Sequence, residues 1–337
     1  TSFSESELAA QIGAWLEAFE TALQRGDGST AGRLFLADGH WRDLLALTWN
    51  IQTEDGVTAI SQSFSRHVPG VRPRNFQLAP GRMAPRWASR AGTDTLEALI
   101  SFETDIGPCE GVVRLVADPA GGEGLKAWIL LTALCDIKGY EQSVGVHRPG
   151  GEETSRDFGG DNWLDLRVQA QSYADREPQV LVIGGSQSGL GIAAALGQVG
   201  VDTLVIDRHE RVGDAWRKRY RSLTLHNQVY ICHMPYMPFP PNWPVYIPKD
   251  KLANWFESYA DAMELNVWGG TELVSGKYDE TDGRWEMSLR QKSGETLTVR
   301  PKHIVFATGV SSIPVRPQLP GLEDFAGDVL HSAEYLA

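Results

Sequence analysis

Cysteine is scarce. Cys109, Cys135 and Cys232 are far apart and odd in number among 337 residues. No pair has the spacing of a metal site or a redox motif. This excludes a disulfide framework and a dithiol reductase, and a reducing, cytoplasmic location is expected. Long apolar runs are lacking too. No stretch reaches the roughly 18 residues of a membrane span, and no charged-then-apolar leader opens the sequence. Positive charge is in deficit, with 31 Lys and Arg against 43 Asp and Glu, a net charge of −12. That argues against nucleic acid or an anionic membrane as the main partner. Internal repeats and low-complexity tracts are absent.

What is present is an ordinary globular composition, 42% hydrophobic and 22% charged. At about 150 residues per domain the length accommodates two domains. The first, expected over 1–143, opens on a capping box, Ser4 and Glu7. Leu8, Ile12, Trp15, Leu16, Phe19 and Leu23 then follow at helical spacing. A short helix over 30–36, an extended stretch over 41–51, a turn at Glu54-Asp55-Gly56 and a helix carrying Val57, Ile60 and Phe64 are predicted next. Strands are predicted over 95–104, 111–117 and 125–137. Helices followed by a strand meander describe an α+β unit. Between Gly56 and Thr93 there is no acidic residue, while Arg66, Arg72, Arg74, Arg82, Arg86 and Arg90 accumulate. This segment reads either as a surface that docks the acidic second half of the chain or lies near a phosphate, or as a solvated loop and strand edge.

Glycine, proline and charge mark 144–177 as a linker, with a helix capped at Asp161 that carries Trp163, Leu164 and Val168. From 178 the pattern becomes α/β. A strand over 179–183 runs into Gly184-Gly185-Ser186-Gln187-Ser188-Gly189, then a helix over 188–199 and a strand over 203–206. Asp207 closes that second strand. A glycine turn between strand and helix, with an acid at the end of the next strand, is a dinucleotide-binding arrangement. Ser186 occupies the second glycine position of G-x-G-x-x-G, where a side chain is normally missing. A helix over 248–264, hairpin turns at Asp282-Gly283 and Ser293-Gly294, and a short buried strand over 303–307 complete the reading.

Further motifs follow: Arg211-Val-Gly213-Asp214-Ala215-Trp216-Arg217, the proline-rich 235–248, Ala307-Thr308-Gly309, and Phe325-x-Gly327-x-x-x-His331-x-x-x-Tyr335. With these, 178–335 resembles the flavin-containing monooxygenases. The resemblance implies a Rossmann-like FAD-binding domain over 178–337, in three layers with a parallel sheet and an antiparallel meander. It places FAD near Gly184, Ser186, Gln187, Ser188, Gly189, Asp207, Arg208, Gly213, Trp216, Arg217, Thr308 and Gly309, with a backbone contact at Leu273. His226, with Asn227 beside it, falls near the flavin ring as the catalytic candidate. Its role as acid or base stays open, and a structural, hydrogen-bonded histidine is the alternative. His331 is implied to be structural, and no metal site is implied. In the family NADPH reduces FAD, oxygen adds at flavin C4a, and one oxygen atom passes to a small organic substrate. Tyr335-Leu336 leans away from Baeyer–Villiger chemistry. The chain opens on Thr1 and closes shortly after Tyr335, before the family's second glycine motif. It is therefore expected to be the N-terminal portion of a longer enzyme whose NADPH site lies further on. By itself it is not expected to turn over NADPH. Two other readings fit the same residues: a non-catalytic flavin- or ligand-binding module, and a flavin oxidase without a nicotinamide domain.

Residues 1–143 resemble the SnoaL-like (nuclear transport factor 2-like) cone fold, with Asp38-Gly-His40-Trp41-Arg42-Asp43 at the first strand. Asp38, His40 and Asp43 are the candidates for proton chemistry there, against a capping and pairing role at the strand start. Homodimerisation or shaping of the substrate entrance is the expected role of this domain.

Overall fold

The computed structural model describes residues 4–118, 121, 124–151, 159–310 and 312–335. It divides into two units, Thr1–Glu141 and Gln142–Ala337.

In the first unit the capping box forms as the sequence dictates. Ser4 accepts from the Glu7 N–H, and the Glu7 carboxylate accepts from the Ser4 N–H, opening α1 (Glu5–Gln24). The apolar stripe of α1 is buried to its end at Leu23. Helix α2 (Gly28–Arg33) is shorter than predicted, because Phe35 already belongs to β1 (Phe35–Leu44) and is buried. Gly28 and Gly32 bring α2 against α3 (Gly56–Val71), where a Cβ at either position would run into Ser61 or Ser65. The extended stretch predicted over 41–51 is interrupted. Chain 45–50 bends back, and β2 (Ile51–Asp55) pairs antiparallel with β1. Glu54-Asp55-Gly56 is then the junction of β2 with α3.

Strands β3 (Arg74–Leu78) and β4 (Arg86–Arg90) lie inside the arginine-rich segment and were not anticipated. They are short, lie at the sheet margin and carry few buried residues. With β5 (Thr93–Glu103), β6 (Pro108–Ala117) and β7 (Leu125–Leu134) they complete a seven-stranded sheet of order β2-β1-β7-β6-β5-β3, β4 pairing with β5. The sheet's inner face packs on the helices through Leu96, Ile100, Phe102, Val113 and Leu130. Aromatic rings fill the space between. Phe19 lies 5.4 Å from both Phe64 and Phe76, and Trp41 lies 4.4 Å from Phe64.

The second unit has three layers. Four parallel strands run in the order β10 (Asn266–Trp268), β9 (Thr203–Ile206), β8 (Val180–Ile183), β14 (His303–Phe306). Alternation decides the layering. Val180, Val182 and Val205 face α5 (Gln187–Gln198) and α7 (Lys249–Ala262). Leu181, Ile183, Leu204 and Ile206 face an antiparallel meander of β11 (Thr271–Asp279), β12 (Arg284–Gln291) and β13 (Thr296–Val299). β14 is at the sheet edge, and the expectation that it is buried fails: Phe306 is 65% exposed. Helix α4 (Trp163–Ser172) is capped by Asn162 rather than Asp161, because only Asn162 reaches the N–H groups of Leu164 and Asp165. Trp163 and Trp268 tie α4 to the sheet margin, donating to Glu264 Oε1 and the Gln171 carbonyl. Among the described residues no helix is long and apolar enough to cross a membrane.

Candidate functional site

β8 delivers the chain to the glycine turn at the carboxyl ends of β8 and β9. Gly184 has φ +113°, and its backbone lies on Ala307, whose carbonyl carbon would be 2.8 Å from an added Cβ. Gly189 brings the first turn of α5 against the Gly184 carbonyl, closer than any Cβ could stand. The turn therefore needs glycine at both positions for steric reasons. α5 then points its uncapped N-terminus, with the positive end of the helix dipole, out of the sheet.

Asp207 does more than end β9. Its Oδ2 accepts from the Gly185 N–H at 2.6 Å and its Oδ1 from the His209 N–H at 2.8 Å. The carboxylate fastens the glycine turn to the loop after β9. Gly185 permits this approach, since a Cβ there would stand 3.2 Å from the Asp207 Cβ. Arg208 is exposed and donates to the Ser312 carbonyl at 2.9 Å. Beside it, Arg208, His209, Glu210, Gly270, Glu272 and Arg290 help line an open cleft of about 470 Å³.

Ser186 is the N-cap residue of α5, yet its hydroxyl caps no N–H. It donates to Gln187 Oε1 at 2.6 Å, and the Trp216 indole donates to the same oxygen at 3.2 Å. Ser186, Gln187 and Trp216 are thus brought together. Gly213 and Arg217, also expected along a cofactor, make contacts of their own within the protein. Gly213, at φ +88°, lets the short helix α6 (Asp214–Arg217) pack on α7, since a Cβ would stand 2.9 Å from the Ala253 Cα. Both terminal nitrogens of Arg217 donate twice, to Val212 O and Asp214 and to Asn254 and Glu257. Its guanidinium holds α6 to α7.

His226 and Asn227 are exposed, between two backbone anchors: Leu225 N–H to the Ile247 carbonyl at 2.9 Å and Val229 N–H to the Val245 carbonyl at 2.8 Å. The His226 ring makes no hydrogen bond to a described residue. Nearby aromatics divide. Phe239 stacks on Trp243 and meets Trp255 edge-on within the core, while Tyr230 stays on the surface. Leu273 is half-buried in β11 opposite Leu289, just before a bulge. Thr308 and Gly309 follow β14 and are exposed. His331 sits in a local turn, its Nδ1 accepting from the Ala333 N–H at 3.1 Å.

Sequence reasoning missed Glu257, which accepts from both Arg211 and Arg217, and Lys249, a buried cation that donates to the Arg217 carbonyl at 2.9 Å. It also missed Tyr259. This residue is fully buried, its hydroxyl has no hydrogen-bond partner among the described residues, and burial pushes its pKa up to about 12. Only the helical spacing of 249–263 hinted at any of them.

The first unit resolves its own candidates. Asp43 is fully buried and saturated. It accepts from the N–H groups of Leu47 and Thr48 and from the hydroxyls of Thr48 and Thr132. It fixes the 45–50 bend and is not poised for proton transfer. His40 Nδ1 lies 2.6 Å from Asp55 at the surface, and Asp38 is exposed. In the arginine-rich segment Arg72 and Arg74 share Asp105, Arg82 pairs with Glu110, and Arg86 and Arg90 share Glu97.

Residues 177–337 match the family model described as FMO-like, flavin-binding monooxygenase-like. Among curated proteins, the probable indole-3-pyruvate monooxygenase YUCCA8 of Arabidopsis thaliana is 34% identical over 159 residues, covering 46% of this chain and 37% of the relative. The indole-3-pyruvate monooxygenase YUCCA1 of Oryza sativa subsp. japonica is 35% identical, covering 47% and 38%. The chain thus spans less than two-fifths of the length of these relatives. Among solved structures, a flavin-containing monooxygenase from Stenotrophomonas maltophilia is 27% identical with a TM-score of 0.42, covering 47% of this chain and 46% of that one.

Proposed function

We propose that residues 178–337 are the FAD-binding part of an NADPH-requiring flavin monooxygenase that transfers one atom of O2 to a small organic substrate. The observation that carries this is the steric demand for glycine at 184 and 189 where a strand turns into the uncapped N-terminus of α5, within the segment that matches the family model. The residues present fit a dinucleotide. The backbone N–H groups at the start of α5 face outward for the diphosphate, and Asp207 holds the turn that presents them. Arg208 and the cleft beside it suit the adenosine end. His226 and Asn227, exposed and without a hydrogen-bonded partner among the described residues, are proposed to meet the ring end, where His226 would hold or move a proton at its imidazole. When bound, the flavin supplies the electron transfer to oxygen; the protein binds, orients and keeps water from it. NADPH is proposed to bind outside this chain.

The first unit is proposed to be a SnoaL-like cone domain that serves dimerisation or shapes the substrate entrance. Its interior is packed with aromatic side chains and, among the described residues, its fully buried acid Asp43 is held by hydrogen bonds, which supports that role over catalysis.

The test is the visible absorption spectrum of the purified 337-residue chain, before and after adding FAD and gel filtration. A flavin spectrum that stays with the protein is expected. A protein that remains colourless after FAD addition would overturn the reading of this segment as sufficient for FAD.

A further inference from the structure

We propose that Gln187 is a diphosphate donor that stands in for the missing second glycine, with Ser186 and Trp216 as the residues that aim it. The inference rests on the FAD reading above. Its starting point is an oddity of the turn. A glycine at position 186 would let a phosphate approach the backbone, but the Ser186 side chain occupies that place, and its hydroxyl does not cap the helix. It donates instead to Gln187 Oε1 at 2.6 Å.

The amide is oriented by its neighbours. The Trp216 indole N–H can only donate, so the atom it meets at 3.2 Å must be the oxygen of Gln187. Two donors converge on Oε1, and Nε2 is left facing away from both. Nε2 donates to no described residue, and Gln187 is exposed at the first position of a 12-residue helix. A ligand anion at this end therefore meets two donor sets: the first N–H groups of α5, and an amide NH2 held ready beyond the serine. Fixing the side chain in advance lowers the ordering cost of binding. Trp216 is a positioning residue in this scheme, because it acts through Gln187 and not on the ligand.

Gln187→Glu separates this from a structural role. A carboxylate still accepts from Ser186 and Trp216, so the contact between α5 and α6 survives. The outward NH2, however, becomes a negative oxygen. FAD titration of the 337-residue chain, followed by flavin fluorescence, is expected to show affinity falling about 100-fold in Gln187→Glu, with the loss shrinking as salt rises. Gln187→Met, which removes the donor without adding charge, is expected to weaken FAD about 10-fold. Trp216→Phe, which frees the amide to rotate, should weaken FAD by a smaller factor. The indole N–H resonance of Trp216 in the ligand-free protein should move in Gln187→Met and persist in Gln187→Glu. Wild-type-like FAD affinity in both Gln187 variants would overturn the proposal while leaving the FAD reading intact. A wild-type chain that binds no FAD would remove the reading itself, and the proposal with it.

Discussion

Replacing Gly189 by alanine tests the steric basis of the candidate site, because two other glycines of the same helix serve as internal controls. A Cβ at Gly189 would stand 3.0 Å from the Gly184 carbonyl carbon and closer still to its oxygen. The first turn of α5 would have to retreat from the end of β8 by more than about an ångström to reach ordinary van der Waals separation. Retreat is resisted on both sides. Gly184 N–H bonds the Ile206 carbonyl at 2.8 Å, and Leu190 N–H bonds the Ser186 carbonyl at 2.9 Å. Overpacking of this kind costs about 3 kcal/mol, at the upper end of the range for buried insertions. For a unit of this size that lowers the melting temperature by roughly 6–12 °C. At Gly191 the nearest atom is Pro235 Cδ at 3.7 Å, and at Gly197 there is nothing within 4 Å. Alanine at either is expected to raise stability by up to about 1 kcal/mol through helix propensity. Calorimetry of the three variants without FAD, followed by FAD titration, should show opposite signs. Only Gly189→Ala should also lose FAD binding. A Gly189→Ala protein that melts within 1 °C of wild type and binds FAD equally well would refute the claim that backbone contact dictates the glycine.

Asp207→Asn keeps one carbonyl oxygen for two N–H donors, so Gly185 or His209 loses its acceptor. A loss of about 1–3 kcal/mol is expected, and faster amide hydrogen exchange at Gly185 in the ligand-free protein would report it. Asp43→Ala leaves the donors of Leu47, Thr48 and Thr132 buried without an acceptor. It should destabilise the first unit by about 3 kcal/mol or more while leaving FAD titration of the chain unchanged. Glu97 hydrogen-bonds Arg90 and Arg114, which hold its pKa down at about 2. A depressed carboxylate contributes stability above its unfolded value and loses it as pH falls through the folded one. Urea unfolding of wild type and Glu97→Gln should therefore differ by about 2–3 kcal/mol at pH 7, converging between about pH 4.5 and 2. A difference that persists at pH 2 would show that the ion pairs are not its source.

Local features were legible in the sequence, and pairings across the chain were not. The capping box of α1, the apolar stripe behind it, the strand–glycine turn–helix of β8 and α5, and the meander hairpins all depend on neighbours within a few residues. Side-chain partners arrive from farther away. Asp43 meets Thr132 at a separation of 89 residues, Trp216 meets Gln187 at 29, and Arg217 meets Glu257 at 40. None of these carries a local signal, which is why the acceptor role of Asp43 and the link from Arg217 to Glu257 were not legible. The arginine-rich segment shows the physical reason. By sequence it is a block of one sign. In the sheet, Glu97 stands directly across from Arg86 on β4 and from Arg114 on β6, because the register pairs those positions. Cross-strand register sets a single carboxylate among several arginines, so the charge run is partly compensated within the sheet. Charge runs in strand-forming segments are therefore poor indicators of a binding surface until the register is known. The glycine turn was legible because the contact of Gly189 with Gly184 lies where β8 passes directly into α5, whereas the contact of Gly184 with Ala307 comes from across the sheet.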